Sequence, residues 1–267
     1  MLITQDLHMH THLSLCAKPE ATLQAYLDQA KEMNLTTLGI ADHFWDDTVG
    51  FEGVSERAYN CYSSQNLPHI ALAREEFKSV NPHGVRVLFG AETEYHFFRK
   101  DVALTPEHAQ TLDFLLVPNS HTHMTMPGEF YASYKKHAGF IMEAAHHILS
   151  SPVWPYITAF AHPFDAIGAP YPAHLLYPYM GRRELEEIFC EAKEKNIAIE
   201  INTGRLPEDA EAVRTHPKWE IFALAKECGC KFTFGSDCHK PEKQKTLFAA
   251  QIACEVLSLR EEDILKL

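Results

Sequence analysis

Short apolar, β-prone runs recur along the chain, and most of them give way to a cluster of polar residues. Seven stand out: Met1–Ile3 leading into DLHMH, TTLGIADH from Thr36, VRVLFGAETE from Val85, FLLVPNSHTH from Phe114, YITAFAHP from Tyr156, IAIEINTG from Ile197 and KFTFGSDCH from Lys231. Each reads as a strand. Helical spacing fills the intervals. Leu23, Leu27 and Ala30 share one face, as do Leu185, Ile188, Phe189 and Ala192, and Ile221, Leu224, Ala225 and Cys228. Pro19 and Glu20 are placed to open the first helix, while Asn34 and Gly229 stand where helix stops are expected. Strands alternating with helices predict an α/β fold with a parallel sheet, which a right-handed series of units can close into a barrel. Residues 44–70 lack a clear period and are expected to form an extended loop with a short helix. A second irregular insert spans 169–181. Long loops at one end of a barrel commonly form the mouth of a site.

The 267 residues are expected to form one domain, and a barrel of this size needs no second core. The formal net charge is −12, and an acidic surface repels a polyanion, which argues against a nucleic-acid partner. No apolar run approaches the length of a membrane span, and no leader peptide is expected ahead of His8. The seven cysteines form no C-x-x-C pair and read as thiols of a reducing cytoplasm.

Histidine changes the picture, with 17 copies. His8/His10, Glu92/Glu94, His121/His123 and Asp237/His239 are each two residues apart at the end of an apolar run. In a strand such pairs point to one face, so each can aim two groups into one cavity. Asp42-His43 follows TLGIA, and His162 follows AFA. Imidazoles and carboxylates gathered at one barrel mouth are costly to bury unpaired, and divalent cations remove that cost. The mixed His, Asp and Glu set suits zinc, manganese or iron, with Glu92 suited to bridge two ions. Glu94, His12 and His123 are either partners of the ligands or solvated neighbours. His69, His83, His108, His137, His146, His147, His174 and His216 lie away from strand ends and are expected to be surface or structural.

DLHMHTHLS, GIADH, GAETEY, AHPF, EINTG and GSDCH, in this order, resemble the PHP (polymerase and histidinol phosphatase) superfamily, and EINTG followed by Arg205 is most similar to its stand-alone histidinol-phosphate phosphatase branch. The resemblance implies a distorted (β/α)7 barrel with a trinuclear metal site at the C-terminal ends of the strands. It implies His8, His10, Glu92 and Asp237 around one ion, and Glu92, His121 and His162 around a second. A third would use His43 and His239. The family's remaining ligand, a His or Asp shortly after the first motif, is replaced near that place by Cys16, which leaves Cys16 or His12 for the role, or a third ion that is weakly bound. His121 is preferred to His123 because it comes first after the strand.

The chemistry expected is hydrolysis of a small-molecule phosphate monoester, with L-histidinol phosphate as a candidate substrate. Clustered cations supply hydroxide and neutralise phosphoryl oxygens. Arg205 is the candidate phosphate clamp, since guanidinium is planar and bidentate. The departing oxygen needs a proton, and Asp42, His239 or a bound water could give it. Asn202 is expected to hold a ligand or the substrate. Two other functions compete: a phosphodiesterase or nuclease of the same superfamily, and a metal-binding module without activity. Phe44, Trp45, Phe130, Tyr131 and Tyr171, in or near the loops, either line a pocket or pack.

Overall fold

The computed structural model describes residues 3–267. Its strands are β1 (Gln5–Met9), β2 (Thr37–Ile40), β3 (Arg86–Phe89), β4 (Ala91–Glu92), β5 (Tyr95–His96), β6 (Asp101–Val102), β7 (Leu115–Pro118), β8 (Ala159–Ala161), β9 (Ala198–Asn202) and β10 (Phe232–Gly235). All seven apolar runs from the sequence contain or adjoin one of them. The first is displaced: the strand is QDLHM itself, so His8 lies within it, and Met1 and Leu2 lie outside the described residues. The third run makes two strands, β3 and β4, broken at Gly90. A side chain there would meet the carbonyl oxygen of Phe114 at 2.4 Å, so only glycine lets these backbones approach.

Every pairing among the long strands is parallel, in the orders β1-β2-β3 and β10-β9-β8-β7-β4. Two seams join these groups. His43 bridges to Glu92, with Phe44 N donating to Glu92 O at 2.9 Å. Met9 bridges to Cys238, with Asp237 N donating to His8 O at 2.8 Å and His10 N to Cys238 O at 3.0 Å. The result is a seven-stranded α/β barrel in which β3 and β4 together count as one stave. Asp6 fastens the second seam by accepting from Ser236 N (2.9 Å) and Ser236 Oγ (2.6 Å).

Alternation along the strands sorts the core. Ala159, Ala161, Ala198, Leu88, Phe114 and Leu116 belong to one small cluster. Their neighbours Leu115, Val117, Phe160, Ile199 and Ile201 belong to the large one shared with the helices. The expected helices are Leu23–Glu32, Arg182–Glu194 and Lys218–Glu227. The first begins later than Pro19-Glu20 suggested, because Thr22 accepts from Ala25 N and caps it. Asn34 and Gly229 take positive φ (57° and 84°) just past their helices, as C-terminal stops do.

The segment 44–70 holds more structure than its weak period implied. Helix Glu56–Tyr62 lies in it, and helix Leu67–Phe77 begins in it. Trp45 anchors it, buried with Ala58, Tyr62, Ala103 and Met124 and stacked on Phe51. Phe44 and Trp45 are therefore packing residues. Among the described residues, no helix is long and apolar enough to cross a membrane.

Candidate metal centre

The C-terminal ends of the strands meet at one place, and Glu92 stands at its middle. Its Oε2 lies 3.6 Å from both His8 Nε2 and His10 Nε2 and 3.1 Å from His43 Nδ1. Its Oε1 lies 2.8 Å from His162 Nε2 and 3.6 Å from His121 Nε2. Asp237 Oδ1 lies 3.3 Å from His10 Nε2 and 3.7 Å from His8 Nε2. Four overlapping triads follow, each compact enough to share a cation: His8-His10-Glu92, His8-His162-Asp237, Glu92-His121-His162 and His10-His43-His239. These eight residues are among those that the sequence singled out from strand ends, which also included Asp42, Glu94 and His123.

The fit to cations can be tested on the polar atoms themselves. Both Glu92 carboxylate oxygens, His162 Nε2, His10 Nδ1 and His43 Nδ1 are buried without a hydrogen-bond partner. Such orphans are rare in proteins because each forfeits its hydration. Lone pairs facing one another at these separations suit a shared divalent ion, and the donor set is that of zinc, manganese or iron. The electrostatics agree. Burial works against charge on Glu92, yet the imidazoles of His121, His8 and His162 hold it well below the usual carboxylate range. Burial likewise opposes charge on His8, but Glu200, Glu92 and Asp237 hold it well above the usual imidazole range. His10 goes the other way, pushed down by burial and by His239 and His43.

A further layer of residues fixes the imidazoles. Glu200 Oε1 pairs with His8 Nδ1 at 2.7 Å, while its Oε2 accepts from His162 N at 2.6 Å and from Asn202 Nδ2 at 3.1 Å. Asn202 thus steadies Glu200. Gly235 makes the room, since a Cβ there would meet Glu200 Oε1 at 2.2 Å. Ser120 Oγ lies 2.6 Å from His162 Nδ1. Glu94 Oε1 pairs with His121 Nδ1 at 2.6 Å and accepts from Tyr62 Oη, which makes Glu94 a partner of His121 and not a solvated neighbour. His162 and Asp237 have positive φ (28° and 51°), a conformation costly for residues with a Cβ. Strain held at two such positions is typical of functional sites.

Three sequence candidates fall elsewhere. Asp42 does not reach the cavity. Its Oδ1 accepts from Thr11 N (2.6 Å) and Ser14 Oγ (2.8 Å), its Oδ2 from Thr11 Oγ (2.7 Å), and it shapes the loop after β1. His12 turns away to Glu76, 3.7 Å distant. His123 lines the cavity, but its ring lies beside His121 and not in any of the triads. Burial, His121 and Arg57 push it down to about 4. Cys16 does reach the site. Burial pushes its thiol up, but contact with His239 and His43 wins and brings it down to about 6. Of the remaining histidines, His83 pairs with Asp28 and His108 with Asp46.

Above the cluster lies a cavity of about 250 Å³. Cys16, His43, His121, Asp237 and His239 form its floor, and Arg57, Cys61, His123, Ile167 and Arg205 belong to its walls. The sequence reading missed Glu200, Ser120 and Arg57. Only Glu200 carried a signal, as a carboxylate two residues from Asn202 in an otherwise apolar strand.

A family model for the PHP domain matches residues 6–204. The solved structure of histidinol phosphate phosphatase from Lactococcus lactis subsp. lactis Il1403, complexed with zinc, L-histidinol and phosphate, is similar with a TM-score of 0.68 at 18% identity over 99% of both chains. A Listeria monocytogenes structure assigned as a histidinol phosphatase matches with a TM-score of 0.67 at 14% identity over 90% of this chain and 96% of that one. No curated protein matches the sequence. At these identities the structural likeness speaks for the fold.

Proposed function

The chain belongs to the PHP domain family, and from that premise we propose that it hydrolyses phosphate monoesters of small molecules with the aid of two to three divalent metal ions. The observation that carries this reading is Glu92, a buried carboxylate without a hydrogen-bond partner and ringed by five imidazoles. In this reading His8, His10, Glu92 and Asp237 hold one ion. Glu92, His121 and His162 hold the second. His43 and His239 hold the third at the cavity edge, with His10 behind them and the Cys16 thiol against both.

Bound ions of this class lower the pKa of water and neutralise phosphoryl oxygens, which is what phosphoryl transfer demands. The protein's own groups do the rest. Glu200, Glu94 and Ser120 keep the imidazoles in one orientation, so little rearrangement is left for the reaction. Arg205 enters from the turn after β9 and lines the cavity, where its fork can take two non-bridging phosphate oxygens. His239 Nδ1 donates to Asp237 O at 2.9 Å, which leaves Nε2 as the ring nitrogen for an ion. Asp42, with both oxygens committed, is assigned to loop support and not to proton transfer.

L-Histidinol phosphate is the first substrate to try, because the Lactococcus lactis structure holds L-histidinol and phosphate. The test is phosphate release by metal-loaded protein from a panel of monoesters, beside cleavage of bis(p-nitrophenyl) phosphate and single-stranded DNA. Metal-dependent monoester hydrolysis is expected to dominate. Diester cleavage exceeding it would replace this reading with a nuclease-type one.

A further inference from the structure

The side chains around the cavity hold a statement about what enters it. Nine arginines occur in the chain. Arg74, Arg182, Arg183, Arg214 and Arg260 form ion pairs, and Arg99 donates to the Val49 carbonyl. Among the described residues, Arg57, Arg86 and Arg205 do neither, and two of these three line the same cavity. An acidic protein has carboxylates to spare, so two unpaired guanidiniums around one 250 Å³ space are out of keeping with its surface.

The helix that carries Arg57 is held in place from below. Ser55 caps its helix by accepting from Ala58 N (3.1 Å) and also donates to Met124 O (3.2 Å). Five residues beyond Arg57, Tyr62 donates to Glu94, the carboxylate that orients His121. Cys61, one turn along the helix, lines the cavity with Arg57. The helix is thereby tied at both ends to the residues around the metal cluster.

The acceptors point the same way. Asp237 is the only carboxylate lining this cavity among the described residues, and it belongs to the metal cluster. An adjoining chamber that shares Arg205 contains Asp165, but Lys218 Nζ already holds that carboxylate at 2.6 Å. A cationic leaving group would therefore meet two arginines and no free carboxylate.

We propose that Arg57 is a specificity-determining residue, and that the preferred substrates are phosphate monoesters whose alcohol part carries a carboxylate. Arg57 grips the carboxylate while the phosphoryl group faces Arg205 and the cluster. This rests on the phosphomonoesterase reading above and narrows its substrate class away from amine-bearing esters.

The test compares 3-phospho-D-glycerate with sn-glycerol 1-phosphate, which share the configuration at C2 and the departing CH2–O and differ by a carboxylate in place of a hydroxymethyl group. L-Histidinol phosphate is the cationic third. Metal-loaded wild-type protein is expected to favour the carboxylate ester by about tenfold or more in kcat/KM over both, the scale of one charge-assisted hydrogen-bond pair. Arg57→Gln is expected to shrink that preference to about threefold or less, chiefly through KM, and Arg57→Lys to restore part of it. An undiminished preference in Arg57→Gln, or a wild-type preference for either other ester, overturns the proposal. A second measurement needs no turnover: calorimetric binding of 3-phosphonopropionate against propylphosphonate. If the carboxylate is favoured there through Arg57 but no ester releases phosphate, the assignment of Arg57 stands and the phosphatase reading falls. If the two phosphonates bind alike, the assignment of Arg57 falls.

Discussion

On the inner wall of the cluster, His8, His121 and His162 each have their second ring nitrogen held by a buried neighbour: Glu200, Glu94 and Ser120. At the outer rim the supports thin out. Cys16 belongs to the exposed edge of the cavity, and His239 is a third exposed with only a backbone carbonyl behind its Nδ1. The two regions offer similar ligand types in different states of preparation. An imidazole locked by a buried partner is already in its ligating tautomer and orientation, whereas a rim residue must be ordered when an ion arrives. On the proposed reading, the inner positions would retain their ions and the rim position would exchange its own.

The strongest attempt to break this contrast is Glu92→Gln, which removes the charge shared by both inner positions. Elemental analysis is expected to find both inner ions lost, with phosphate release down about a thousandfold or more. Next comes Glu200→Gln on the inner wall, where metal affinity is expected to fall about 10- to 100-fold, measured by competition with a chelator. Ser120→Ala removes a neutral partner from His162 and is expected to sit at the low end, about tenfold. Cys16→Ser at the rim is expected to lower only the last ion's occupancy after dialysis, by less than about tenfold. An effect larger than that of Glu200→Gln would invert the comparison. His12→Ala should change neither Tm nor turnover, since an exposed substitution shifts stability by no more than about 0.5 kcal/mol.

The inner wall was also the more legible region. Pairs two residues apart at strand ends point to one face whatever the loops do, so His8, His10, Glu92 and Asp237 could be gathered from spacing, whereas His162 follows its strand alone and His121 came with His123 as an alternative. The seven staves were legible for the same reason. Asp42 was placed correctly along the chain, but where its carboxylate points depends on how the Thr11–Ser14 loop folds back, and no period encodes that. Ser120 carried no signal, because a serine before HTH resembles any turn residue. Arg57 was invisible because the helix that presents it is defined by the packing of Trp45, Tyr62 and Met124 from three separate segments.

The seam between β1 and β10 has a consequence for biosynthesis. A chain leaving the ribosome exposes His8 and His10 more than two hundred residues before Asp237 and His239 exist. Until the final stave docks, through Asp6 on Ser236 and His8 O on Asp237 N, the early imidazoles have no acidic counterpart from that side. The position that Asp237 completes is therefore the last to be assembled, whereas Glu92, His121 and His162 are all made before residue 163.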